Sequence, residues 1–204
     1  MTPVDVRWET SYRIVAARVP RVAIFEEIAR PEDLENVLAI EAFANDRLRE
    51  AAQTIALVPA EDRVVGPGSS FVMAPFAYVR PGRFSPGGVR GAYYAGESLA
   101  TAIAAVAADA NAEANRTALL DPDSYTASFV FGAQAYAGGH DGVIYPSVRR
   151  ASGTCLGVFR PRCVHNAHTT KYLGYRWNGH RIDDVYELTS LTSQYPDEPG
   201  ARGT

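Results

Sequence analysis

Cysteine is scarce: the 204-residue chain has two, Cys155 and Cys163, too few for a disulfide framework. Two buried thiols in a cytoplasmic protein is the expectation. Long apolar runs are also missing, since none approaches the roughly 18 residues that a membrane helix requires. The opening MTPVDVRWETSYR lacks an apolar core and carries early acidic residues, so no secretory signal is expected. Positive charge is not in excess: 20 Lys and Arg stand against 23 Asp and Glu, for a net charge of −3. That balance argues against direct, sequence-independent nucleic-acid binding, which needs a basic footprint. Cys163, His165 and His168 are metal-ligand types without the second paired half of a zinc site, so no metal is expected. Gly66-Pro67-Gly68-Ser69-Ser70 is not followed by Gly-Lys-Ser/Thr and is no phosphate loop.

What is present is ordinary for a folded domain, with 47% hydrophobic and 21% charged residues. One domain over residues 1–193 is expected, with a helical N-terminal segment at about 20–60 and a flexible tail at 194–204. Tyr12 to Val15 has the composition of a short strand. A helical stretch opens at Pro31 and runs towards Gln53, with Glu32 and Asp33 placed for the helix dipole. Phe71 to Tyr78 reads as an apolar strand, and Gly91 to Ala95 as a short one ending in Tyr93-Tyr94. Ser98 suits the N-cap of an alanine-rich helix from Leu99 to about Asn115. Asp121-Pro122 opens another helix, which Gly138-Gly139 stops. Val143 to Tyr145 and Cys155 to Phe159 read as strands. Asn178-Gly179, between Tyr172–Trp177 and His180–Ile182, signals a hairpin with a type I′ turn. The pattern is an α+β domain with much of its chain in loops.

Three places carry chemistry. Arg83, among Gly82, Gly87 and Gly88, can offer a planar fork to phosphate oxygens. Tyr93-Tyr94 ends a strand just before a helix; their rings must point to opposite faces, so one can line a cleft while the other is core. Ser147 and Arg149 lie immediately beyond a strand, where ligand groups commonly sit. Taken singly, each has a plain structural reading: a solvated arginine, two packed tyrosines, a turn serine.

Together the blocks Arg83-Phe84-Ser85-Pro86-Gly87, Ala92-Tyr93-Tyr94-Ala95-Gly96-Glu97-Ser98 and Thr101-Ala102-Ile103-Ala104 resemble the RES-domain pattern of an arginine loop, a Tyr-ended strand and a helix. Asp141 to Arg149 and Gly153 to Pro161 resemble that family's second block, and Tyr12-Arg13-Ile14 its opening strand. The resemblance spans Tyr12 to about Ile182. It implies an ADP-ribosyltransferase-like mixed sheet core with flanking helices and long loops, and a pocket for NAD as substrate. RES toxins break the nicotinamide N-glycosidic bond, with water, phosphate or a protein side chain as acceptor, and an Xre-type antitoxin restrains them. Carried over, Arg13 and Arg83 would grip the dinucleotide phosphates. Tyr94, in preference to Tyr93, would line the nicotinamide or ribose pocket, and Ser147 would hydrogen-bond within it. On that reading Arg83, Tyr94 and Ser147 are the catalytic set.

The chain departs from the family at one point. The glutamate expected eleven residues beyond the tyrosine falls on Ala105, whose methyl group cannot stabilise positive charge on a ribose. Asp109 shares the helical face, and Glu97 and Glu113 are the other nearby acids. A relocated acid, a toxin disabled by substitution so that it can be produced, and a non-catalytic NAD-binding or protein-binding pseudoenzyme all fit this departure. Self-association and the ADP-ribose acceptor stay open at this stage.

Overall fold

The computed structural model describes residues 5, 7–17, 24–27, 30, 33–41, 55–107 and 118–189. The chain divides into two compact units, residues 1–168 and 169–204, so the single domain expected to residue 193 is described in two parts. The expected tail at 194–204 lies outside the described residues. No described helix is long and apolar enough to cross a membrane.

The first unit contains five α-helices among the described residues: α1 (Ile24–Glu27), α2 (Leu34–Glu41), α3 (Ser69–Ala77), α4 (Leu99–Ala107) and α5 (Thr126–Ala137). Its strands are β1 (Tyr93–Gly96), β2 (Gly142–Pro146) and β3 (Thr154–Val158). They form one antiparallel sheet in the order β1-β3-β2, with Tyr94 opposite Gly157 and Tyr145 opposite Cys155. Helices and antiparallel sheets in one chain make this an α+β fold. A mixed sheet is not found among the described residues.

Alternation along β1 divides the core. Tyr93 and Ala95 pack with Phe25, Met73 and Phe76, whereas Tyr94 faces a second cluster of Phe84, Val143 and Phe159. Successive strand side chains point to opposite faces, so one short strand joins both halves. The Phe84 ring meets Tyr145 edge-on at 5.0 Å and Phe131 at 6.1 Å. At Gly132 the backbone of α5 comes so close to Phe84 that a Cβ would lie 2.2 Å from the Phe84 carbonyl oxygen. A larger residue there would push α5 off the Arg83 loop.

Several local expectations change. Phe71 to Tyr78 is largely helix, as α3, and not a strand. Val72, Met73, Pro75, Phe76 and Ala77 are all buried, and an apolar segment buried over most of its surface has no periodicity from which helix and strand can be told apart. Gly68 at φ 80° opens α3, and the Ser69 hydroxyl donates to the Phe25 carbonyl at 2.8 Å. Tyr12 makes a single antiparallel bridge with Gly96 where a strand to Val15 was expected. The Asp121 helix starts later, at Thr126, because the Asp121 carboxylate accepts from the backbone N–H groups of Asp123 and Ser124 and closes a turn instead. α4 is described to Ala107, and its expected extension to Asn115 lies outside the described residues. Of the stretch from Pro31 to Gln53, Asp33 and α2 are described. Both cysteines are free, but Cys163 is exposed and Cys155 alone is buried. Cys163 ends a surface 3₁₀ turn, Pro161–Cys163, which leaves it little to pack against.

The second unit holds a hairpin of β4 (Leu173–Trp177) and β5 (Ile182–Glu187). Pairing resumes at Ile182 rather than His180, so Asn178 to Arg181 connect the strands and the two-residue type I′ turn is not formed. The Asn178 side chain decides this by accepting from the N–H groups of His180 and Arg181 at 2.9 and 3.0 Å. Gly179 takes φ 99°.

Candidate functional site

The expected site residues gather around β1, α4 and the β2–β3 connection, in the first unit. Arg13 reaches β1 from the N-terminal segment, donating from Nη1 to the Tyr94 carbonyl at 3.3 Å and standing 4.9 Å from the Tyr93 ring centre. Its Nε is buried without a hydrogen-bond partner. Burial holds the guanidinium below its ordinary pKa, opposed by the two tyrosines.

Tyr94 reaches into the arginine loop, where its hydroxyl accepts from the Phe84 N–H at 2.8 Å. Burial pushes its pKa up to about 12, against the lowering effects of the Phe84 N–H and of Arg90 and Arg83. Tyr93 is 6% exposed and belongs to the opposite core; burial raises its pKa as well, against the lowering effect of Arg13.

Arg83 is not solvated. It is 6% exposed and donates from Nη1 to the carbonyls of Leu119 and Asp121 at 3.2 and 2.9 Å. Its guanidinium stands 4.7 Å from the Tyr125 ring centre. The loop arginine therefore joins the glycine-rich loop to the approach of α5. Its charge also acts on Tyr94 and Tyr145 and works against the rise that burial imposes on both hydroxyls.

Ser147 is 3% exposed. Its hydroxyl accepts from the N–H groups of Arg149 and Arg150 at 3.3 and 3.2 Å, holding the turn after β2. Ser147 and Tyr145 act on the buried Cys155 thiol and lower its pKa, against the larger effect of burial. Burial raises that thiol's pKa, so Cys155 is protonated near neutrality and is a poor nucleophile.

Ser147 meets α4 through Gly153, where a Cβ would lie 2.9 Å from the Thr101 hydroxyl and 3.2 Å from the Ser147 Cβ. Ser98 caps α4 by accepting from the Thr101 N–H at 3.2 Å. Arg150, which the sequence reading did not single out, donates from Nη1 to the hydroxyls of Ser98 and Thr101 at 3.0 and 3.2 Å. Its position directly after Ser147-Val148-Arg149 was the available signal. This triangle ties the second motif block to the helix that follows the tyrosines.

Thr101 is fully buried, whereas Ala105, one turn further along α4, is exposed. α4 thus emerges from the protein between the two. Glu97 is engaged elsewhere, accepting the Thr154 N–H at 2.9 Å. Asp109 and Glu113 lie outside the described residues. Among the described residues, no three His, Cys, Asp or Glu side chains cluster to hold a metal ion.

A second charged group also escaped the sequence reading. Asp62, 1% exposed, is held by Arg160 Nη1 at 3.0 Å and by Arg162, and both arginines also contact Asp141. This network joins the 3₁₀ turn Ala60–Asp62 to the segment after β3.

Comparison with known proteins gives the family. The RES-domain profile matches residues 60–121 and 104–178, a span that takes in the arginine loop, the tyrosines, α4 and the Ser147 turn. A curated relative, the uncharacterized protein y4oC of Sinorhizobium fredii, is 26% identical over 214 residues, covering 92% of this chain and 91% of the relative. No solved structure matches the chain.

Proposed function

The chain belongs to the RES-domain family, and on that premise we propose that it is built as an NAD-cleaving toxin of a toxin–antitoxin pair, carrying a substitution at its acid position. Membership brings with it a family-level association with toxin–antitoxin systems and NAD-related chemistry. The finer reading, an ADP-ribosyltransferase-like site that cleaves the nicotinamide N-glycosidic bond, is ours.

One observation carries it: the separate motif blocks meet in space. Arg13 bonds β1 at Tyr94, Tyr94 bonds the arginine loop at Phe84, and Gly153 brings Ser147 against Thr101 of α4. The residue set suits NAD. Arg83 spends Nη1 on two carbonyls and has no other hydrogen bond to a described residue, so its remaining donors suit phosphate oxygens. Arg13 adds a second guanidinium with a buried, unpaired Nε. Tyr94, neutral near pH 7, offers a ring edge and a hydroxyl oxygen.

Cleavage breaks the bond from ribose C1′ to the nicotinamide nitrogen, and the electron pair leaves with nicotinamide. Positive charge builds on the ribose until an acceptor oxygen attacks C1′ and surrenders its proton. A carboxylate beside the ribose would stabilise that charge in the transition state more than in the ground state. Ala105 supplies none. The same observation favours a second reading, a pseudoenzyme that binds NAD or a partner without turning it over.

An Xre-type antitoxin is the partner proposed for either reading, and the cytoplasm the proposed compartment. The deciding experiment incubates the protein with NAD, with and without inorganic phosphate, and identifies the products. Slow nicotinamide release that Ala105→Glu accelerates supports the disabled toxin. Binding without release in both proteins supports the pseudoenzyme. No binding of NAD by either overturns the site.

A further inference from the structure

Three guanidinium groups act on Tyr94, and none of them has an ion pair with a described residue. Arg13 donates to the Tyr94 carbonyl, and the charges of Arg83 and Arg90 bear on its hydroxyl. Each stands instead against an aromatic ring: Arg13 is 4.9 Å from the centre of Tyr93, Arg83 4.7 Å from that of Tyr125 and Arg90 4.3 Å from that of Tyr136. Other described arginines do take carboxylates. Arg30 holds Asp33, Arg160 and Arg162 share Asp62 and Asp141, and Arg176 holds Asp183 and Asp184.

A ring face attracts a cation through its quadrupole without bringing a negative charge. A carboxylate in the same place would cancel the charge that a phosphate needs. Resting on the NAD reading above, we propose that Tyr125 is a positioning residue for Arg83: its ring holds the guanidinium plane and leaves the charge to the dinucleotide phosphates. The Leu119 and Asp121 carbonyls take Nη1 and Tyr125 takes a face, so an edge and a face of one planar group are fixed together. Arg83 is only 6% exposed, and a cation largely out of water attracts an anion more strongly.

Tyr125 lies outside every motif block, yet its surroundings suit this role. It stands at the N-cap of α5, where its side chain makes no capping bond. Its carbonyl accepts from the Phe129 N–H at 2.8 Å and from the Ser128 hydroxyl at 3.0 Å. The Phe129 ring meets the Tyr125 ring edge-on at 6.1 Å. Backbone and ring are thus held from the helix side. After burial, the larger cause, Tyr125 also raises the pKa of the Tyr94 and Tyr145 hydroxyls, which places it near both.

Calorimetric titration of the full chain with NAD tests this. Tyr125→Leu should weaken NAD about tenfold, the loss expected from one desolvated cation–ring contact. Tyr125→Phe keeps the ring and should bind as the unaltered chain does. In an Arg83→Ala background, Tyr125→Leu should cost nothing further, because the group it positions is gone. Should Tyr125→Leu fail to fold, phenylalanines carrying one, two or three fluorines can be introduced at position 125. They keep the shape of the ring while draining negative charge from its face, so NAD affinity should fall stepwise along the series. A ring that only packs would give no such trend. Unchanged affinity in folded Tyr125→Leu, equal losses for Tyr125→Phe and Tyr125→Leu, a further loss in the double variant, or a flat fluorine series would each overturn the proposal while leaving the NAD site standing. Arg83→Ala without effect on NAD, or no NAD binding at all, would overturn the NAD reading and this proposal with it.

Discussion

The Tyr94 hydroxyl accepts the backbone N–H of Phe84 at 2.8 Å, and through that bond the strand carrying the paired tyrosines fixes the loop carrying Arg83. The Tyr94 ring fills the space beside Gly82, where a Cβ would lie 2.5 Å from the ring, and beside Gly157, where the gap would be 3.0 Å. One side chain therefore sets the distance between the loop, β1 and β3.

Tyr94→Phe keeps the ring and deletes the acceptor. The Phe84 N–H would be left without a partner, at a cost of about 1–3 kcal/mol. Urea denaturation should show a lower midpoint with an unchanged slope. An unchanged midpoint would mean that the loop is held by packing alone.

Alkaline pH should act on the same region. Burial raises the Tyr94 pKa to about 12 and raises those of Tyr93 and Tyr145 too. A group protonated more readily in the folded state stabilises that state fully below its unfolded pKa, near 10 for tyrosine. That contribution should fall away as pH rises from about 10 towards 12. Unfolding midpoints measured at increasing pH, with tyrosinate absorbance followed in parallel, should show tyrosine ionisation and loss of structure together above that point. Tyrosinate formation near pH 10 in a still-folded protein would contradict it.

Asp62 should be among the most sensitive positions outside the motif blocks. Asp62→Ala leaves Arg160, 17% exposed at its side chain, with Asp141 alone, and breaks a largely buried pair. Losses from such pairs run to roughly 3–5 kcal/mol. Asp62→Asn, which retains an acceptor, should lose less. Thermal melts of the two variants would check the order, and equal melts would show that the charge contributes nothing.

Arg83→Ala should weaken NAD binding and lower stability together, because the same guanidinium donates to Leu119 and Asp121. A charged hydrogen bond is worth about 1.5–3 kcal/mol, so the binding loss should exceed tenfold. Calorimetry on the folded fraction separates the effects. A stability loss with NAD affinity unchanged would restrict Arg83 to its structural role.

Ala105→Glu should raise nicotinamide release by about 10²–10³-fold while changing NAD affinity little, as expected for a group that acts mainly on the transition state. Its position is exposed and glutamate is a good helix former, so folding should be unaffected. A folded variant that binds NAD and releases no nicotinamide would favour the pseudoenzyme.

By itself the sequence determined the family and the α+β class. Arginine loop, tyrosine pair, capped helix and serine turn are local patterns, and Ser98, Gly138 and Asn178 act where their chemistry places them. Tertiary structure decided what each charged group faces. Arg83 is turned inward, donating to the carbonyls of Leu119 and Asp121, and no pattern near Arg83 encodes residues 36 and 38 positions away. α3 could not be told from a strand in the sequence because burial of most of its residues left no periodicity to read, and only the fold showed it to be a helix. Arg160 and Arg162 took Asp62 across about a hundred residues, while Arg90 was left between two rings. Charges find partners by distance in space, a quantity the order of residues does not contain until the chain has folded.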